Sequence, residues 1–267
     1  GRNNDFVLPG LWLLSLTVDD SAGEPVARTM PGAFLDLLLG AMETDFAPSA
    51  LMALLKHPLT RLGRAPKAIR NAARMLERGA FRDVYLGQGL TGVAHALQTA
   101  NLRRPPTDAE RDDALGLVAD LEQAFAPLVR LFESSTPVSV TMLAEAHAAS
   151  AEALSRDASG TSAGLWQDDE GEALSLLLAE LIEEGKGLAL RPLEYPALYR
   201  SLLAGQVVRP RGATHPRLHI WGPLEARLQQ PDVVILGSLN EGVWPRPQES
   251  GPWLSRPMRA KLGLTPP

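Results

Sequence analysis

Cysteine is absent from all 267 residues. That excludes a disulfide framework, a thiolate zinc site, an iron–sulfur cluster and a cysteine nucleophile, and makes a reducing, cytoplasmic setting the expectation. A run of about eighteen apolar residues, the length a helix needs to cross a bilayer, is also missing. The stretch Leu174–Leu181 is broken by Ser175 and Glu180 and reads as a core helix, so no membrane partner is expected. The chain opens GRNND, without a Met or a basic stretch leading into an apolar one, and no signal peptide is read there. It closes LGLTPP directly after a helix-like segment, so both ends look cut and a piece of a longer protein is expected.

Motifs for common chemistries are missing as well. A phosphate-cradling Walker loop needs GxxxxGK followed by Ser or Thr, and the one GK pair, Gly185-Lys186-Gly187, lacks that hydroxyl. Gly87-Gln88-Gly89 follows no convincing strand, which excludes a dinucleotide fingerprint, and Gly-x-Ser-x-Gly does not occur. His215 and His219 have Pro216 between them and no third ligand nearby, so no metal site is expected. Glu184-Gly-Lys186 matches only the tail of a PD-(D/E)xK nuclease signature and ends a helix. No catalytic residue is assigned.

What is present is charge, unevenly distributed. The net charge of −5 argues by itself against a nucleic-acid partner, because binding domains usually carry a basic excess that releases counterions from phosphates. Split along the chain, however, residues 1–55 sum to −5, 56–104 to +8, 105–199 to −13 and 200–267 to +5. Such asymmetry hints at an electrostatic partner, or at basic and acidic blocks that face each other inside one fold.

Periodicity predicts a helical middle. Thr29 caps a helix with Pro31 in its first turn and Phe34, Leu35, Leu38, Leu39 and Met42 at helical spacing, ending near Glu43. A second runs from Pro48 or Ser49 to before Pro58. A third, Pro66–Arg78, sets Lys67, Arg70, Arg74 and Arg78 three and four apart on one face, as a solvated stripe or a surface for phosphates or a subunit. Thr107-Asp-Ala-Glu110 is a capping box opening a long amphipathic helix, bent if anywhere near Pro127. Further helices fit 139–156, 170–185 and 192–204.

Strands are expected at both ends: Leu11–Val18, Gln206–Arg209, Arg217–Trp221 and Asp232–Gly237, the last (DVVILG) an apolar run typical of a parallel strand buried on both faces. The expected fold is therefore α/β and helix-rich, with a sheet domain of residues 1–45 and 205–267 interrupted by a helical insertion at 46–204. Past Leu236 the chain enters a loop with Asn240, Glu241, Gly242, Trp244 and Arg246, the place where α/β sheets bind ligands. Trp244 can stack on a base and Arg246 meet a phosphate; alternatively Trp244 and Trp253 plug the domain edge.

Gly237-Ser-Leu-Asn-Glu-Gly-Val-Trp-Pro245, followed by Trp253-Leu-Ser-Arg-Pro-Met-Arg259, resembles the AddB subunits of AddAB-type helicase-nucleases. It is similar, more distantly, to the motif V region of UvrD-like superfamily 1 helicases. DDSAGEPVARTMPGAFLDLLL and ALMALLKHPLTRLG, residues 50–63, also look like AddB. The likeness is specific at the two ends, and between about 65 and 200 only helical character agrees.

The resemblance implies a partial RecA-like 2A-type parallel sheet interrupted by a 2B-type helical insertion. It also implies a part in recombinational repair of double-strand breaks, beside an AddA-like motor. Glu225, Arg227, Asn240, Glu241, Gly242, Trp244 and Arg246 are the candidate residues for a single-stranded DNA path, with the basic stripe Lys67, Arg70, Arg74 and Arg78 as a second set. Arg227 is expected to pair with Glu225 or Glu241, and Gly242 to adopt a backbone angle that other residues resist. Helicases of the group carry Lys-Gly-Leu-Glu before the strand, whereas this chain has Gly222-Pro-Leu-Glu-Ala-Arg227. ATP, Mg and the nuclease are expected only in the full complex, and this portion is expected to be inert by itself. The competing expectation is a helical protein-interaction module, its −13 block docking a basic partner without nucleic acid.

Overall fold

Helix-start chemistry is visible in several helices of the computed structural model, which describes residues 18–82, 87–100, 105–209, 215–237, 239–240 and 256–264. In α1 (Met30–Glu43) the Thr29 hydroxyl accepts from the Gly32 N–H at 3.3 Å and donates to the Val26 carbonyl at 2.7 Å. One of the free donors of the first turn is thereby satisfied. α2 (Pro48–Lys56) and α3 (Pro66–Gly79) each begin on a proline, whose missing N–H would have had no helical partner anyway. α4 (Gly89–Thr99) has no side-chain cap and was not legible in the sequence. α5 (Asp108–Phe132) opens with the capping box: Glu110 N–H donates to Thr107 Oγ1 at 3.2 Å, and Thr107 N–H to Glu110 Oε2 at 2.9 Å. It continues without interruption past Pro127. α6 (Val140–Ser155), α7 (Asp168–Glu184) and α8 (Tyr195–Leu203) follow, close to the predicted bounds, and a short α9 (Arg256–Lys261) lies near the end.

The chain divides into two units, Gly23–Arg211 and Gly1–Ala22 with Gly212–Pro267. α1, expected with the end segments, belongs to the larger, helical unit. There α5 packs on α3, α4 and α6; α7 packs on α6 and α1; and α2 lies between α1 and α3. Their apolar faces fuse into one core running from Val26 to Val208, with Phe34, Leu38, Leu76, Leu121, Phe125 and Leu178 among its members. Each fully buried Leu or Phe contributes roughly 1.5–3 kcal/mol before the entropy of ordering it is deducted.

The strands are two residues each: β1 (Asp19–Asp20), β2 (Glu24–Pro25), β3 (Val138–Ser139), β4 (Ala189–Leu190), β5 (Val207–Val208) and β6 (His219–Ile220). β2 pairs antiparallel with β5, and β3 antiparallel with β4, within the helical unit. β1 pairs parallel with β6 in the smaller unit, Asp19 opposite His219. The helix-rich character agrees with expectation, but the described residues form no parallel RecA-like sheet.

The run Val233–Leu236, expected to be a strand buried on both faces, has no ladder partner among the described residues, and its four side chains are 64–89% exposed. Apolar sequence alone does not make a central strand. Hydrogen-bonding neighbours and covering layers must be present, and the described part of this unit supplies neither. None of the side chains described in this unit is buried. The expected strand Leu11–Val18 lies, but for Val18, outside the described residues, and Val18 is not in a strand.

A polar clamp fixes α5 to the segment entering α3. Arg64 Nε donates to Asp120 at 2.8 Å and its Nη1 to the Asp113 carboxylate at 2.8 Å, and Gly116 leaves room for the guanidinium. Both carboxylates are partly solvated, which limits the gain. Arg64→Met should cost about 1–2 kcal/mol, read as a lower urea midpoint with an unchanged slope.

Candidate nucleic-acid interface

The four cations predicted to share one face do so. Lys67, Arg70, Arg74 and Arg78 are all exposed along α3, while Ile69, Ala72, Ala73, Met75 and Leu76 on the other side are buried. From Lys67 to Arg78 the stripe rises about 16 Å, and Arg70 and Arg74 stand one turn, about 6 Å, apart. α3 has a single carboxylate, Glu77, one turn beyond Arg74 at the edge of the stripe, and its ion-pair partner is Lys56 at the end of α2, 3.4 Å away. Among the described residues no carboxylate forms an ion pair with any of the four stripe cations. A row of exposed cations without ion-pair partners is a surface on which an extended polyanion can replace its counterions.

Between α2 and α3 the stripe borders an open hollow of about 190 Å³, lined by Met52, Leu55, Lys56, Arg70, Ala73 and Arg74. Its floor is aliphatic and its rim cationic. Four of these, Met52, Leu55, Lys56 and Ala73, were missed in the sequence. The position of Lys56 at the start of the +8 block was a signal, but juxtaposition with α3 comes from helix packing.

The second set of site residues is only partly described. Glu225 and Arg227 lie in a single 3₁₀ turn, Glu225–Leu228, and both are exposed, as is Asn240. Glu225 folds over Gly222, its Oε2 2.6 Å from where a Cβ would stand. Of the two partners expected for Arg227, Glu225 forms no pair with it, its carboxylate being turned toward Gly222, and Glu241 is not among the described residues. Glu241, Gly242, Trp244 and Arg246 lie outside the described residues. In the same unit, His219 stacks on Trp221 with ring centroids 5.1 Å apart.

Among the described residues there is no group of three or more His, Asp and Glu side chains arranged to hold a metal ion. The one fully buried histidine, His147, is held between Tyr195 and the Leu35 carbonyl inside the helical core, where it is closed to a substrate. No described helix is long and apolar enough to cross a membrane. No family model, curated protein or solved structure matches this chain.

Proposed function

We propose that this chain is a central, non-catalytic portion of an AddB-type helicase-nuclease subunit, one that processes DNA ends in recombinational double-strand break repair in the cytoplasm. It contributes surface for the DNA path and for an AddA-like motor subunit. The observation that supports this most directly is the α3 stripe, four exposed cations with no ion-pairing carboxylate among the described residues. The loop residues Glu241, Gly242, Trp244 and Arg246 enter the proposal through the sequence resemblance alone.

Backbone binding of this kind is salt-dependent and nearly independent of base sequence. Four neutralised phosphates of a single strand give a slope of log K against log salt of about −3, or roughly a fiftyfold loss of affinity between 50 and 200 mM salt. Fluorescence anisotropy with a labelled oligonucleotide measures it. Arg70→Glu with Arg74→Glu should cost more than tenfold in affinity and flatten the slope by about half. A salt-independent signal, or full binding by the doubly reversed variant, would remove the DNA-path role.

A second reading has its own observation. The outer face of α7 carries exposed Glu172, Glu180, Glu183 and Glu184 around Leu176, which is 58% exposed. An apolar residue inside an acidic rim suits a basic protein partner. Charge reversal on α7 separates the two readings, since it weakens subunit assembly under the second and spares oligonucleotide binding under the first.

A further inference from the structure

The hollow beside the stripe points to a more specific ligand than a polyanion: we infer that it receives one unstacked base of a single strand, with the flanking phosphates on Arg70 and Arg74. This inference rests on the DNA-path reading and adds to it a preference for strands whose bases are free. A phosphate-only surface needs no cavity, yet here the cation row opens onto apolar Met52, Leu55 and Ala73. The volume of about 190 Å³ is adequate for one six-membered ring, since a cavity of about 150 Å³ admits benzene. Arg70 and Arg74 stand on its rim, so a ring on the floor leaves its own phosphodiester within reach of a guanidinium.

The chemistry of the lining restricts the occupant. A base paired in a duplex is stacked above and below and cannot enter a side-chain hollow without being extruded, at a cost of a few kcal/mol. A single strand avoids that cost. The floor carries no aromatic ring and, apart from the rim cations, no side-chain hydrogen-bond donor or acceptor, so contact is by shape and apolar area. Preference for one base over another should therefore be weak, with pyrimidines favoured by size. The stems of Lys56 and Arg70 extend the apolar wall while their charged ends stay in water.

An abasic strand tests this, because it keeps every phosphate and removes only the ring. Anisotropy titrations of the full chain at low salt would compare a labelled oligothymidylate, an abasic oligomer of equal length and a hairpin duplex. The oligothymidylate should bind about fivefold more tightly than the abasic strand. Ala73→Met, which fills the hollow, should bring the two together while leaving the salt slope in place. Should the abasic strand and the oligothymidylate bind wild-type chain equally, with the same salt slope, the base-accepting hollow is overturned and the backbone reading survives. Binding of neither at low salt overturns both. The wild-type comparison stands even where Ala73→Met folds poorly.

Discussion

Gly32→Ala should destabilise the helical unit by about 1–3 kcal/mol, although alanine is the better helix former by about 1 kcal/mol. The reason is a backbone contact. A Cβ on Gly32 would lie 1.9 Å from the Val26 carbonyl oxygen and 2.8 Å from its carbon, distances at which the main chain has to move. That carbonyl accepts from the Thr29 hydroxyl at 2.7 Å and from the Thr29 N–H at 3.1 Å, so displacing it disturbs the cap of α1. Val26 itself is buried in the core, and its N–H donates to Gln206. Loss of a cap costs about 1 kcal/mol and overpacking a further 1–3 kcal/mol, which together exceed the propensity gain. Gly40, in the same helix with nothing within 4 Å of its added Cβ, is the control. Gly40→Ala should raise stability by about 0.5–1 kcal/mol. Urea unfolding followed by helical circular dichroism distinguishes them: the midpoints should move in opposite directions, and a Gly32→Ala midpoint at or above wild type would refute the contact.

Such short-range chemistry is also what made most of the helices legible. Thr29, Thr107 with Glu110, and the prolines at 31, 48 and 66 mark starts through groups within a few residues of one another, and apolar spacing gives the buried face. α4 escaped because its stabilisation is tertiary: two glycines and no side-chain cap weaken it locally, whereas Leu90, Val93 and Leu97 are buried in the helical core, where α4 packs on α3 and α5. The stripe was legible for the same reason as the helices, being periodic along one element. The hollow was not, since Lys56 and Arg70 come together only when α2 packs on α3. Val233–Leu236 shows the opposite failure. Composition there suggests a buried strand, but pairing is a property of neighbours, and the described neighbours do not provide it. The absence of the Arg227–Glu225 pair is a further case, because sequence proximity could not foresee that the carboxylate would turn toward Gly222.

His147 is a longer-range example, and acidification should expose it. Its ring is fully buried on α6, with Nε2 3.3 Å from the Leu35 carbonyl of α1 and Nδ1 3.1 Å from the Tyr195 hydroxyl of α8. A carbonyl only accepts, so Nε2 carries the proton, Nδ1 is bare, and the Tyr195 hydroxyl donates to it. The imidazole is thus neutral and joins three helices. Tyr199 packs edge-on at 4.8 Å, and burial pushes both tyrosines well above their ordinary range, so neither offers a negative charge. Of the nearby charges, Asp36 on α1 is taken by Arg200 of α8, which also binds Glu43. Burial lowers His147 from 6.5 to about 4, against a smaller upward pull from the Leu35 carbonyl. The unfolded chain therefore binds the proton first. The stabilisation from a neutral His147 is complete above about pH 6.5 and is lost as pH falls toward 4, to a total of about 3 kcal/mol. His57 is lowered by burial too, so the contribution has to be isolated by difference. His147→Gln keeps a donor and an acceptor without the titration. It should be less stable than wild type at pH 7.5, with the gap narrowing by about 3 kcal/mol by pH 4 as the wild-type chain alone loses this term. Urea midpoints at pH 7.5, 6, 5 and 4 measure that gap. Parallel curves for the two chains would mean that His147 is either already charged in the fold or open to water, and the three-helix junction would then be wrong.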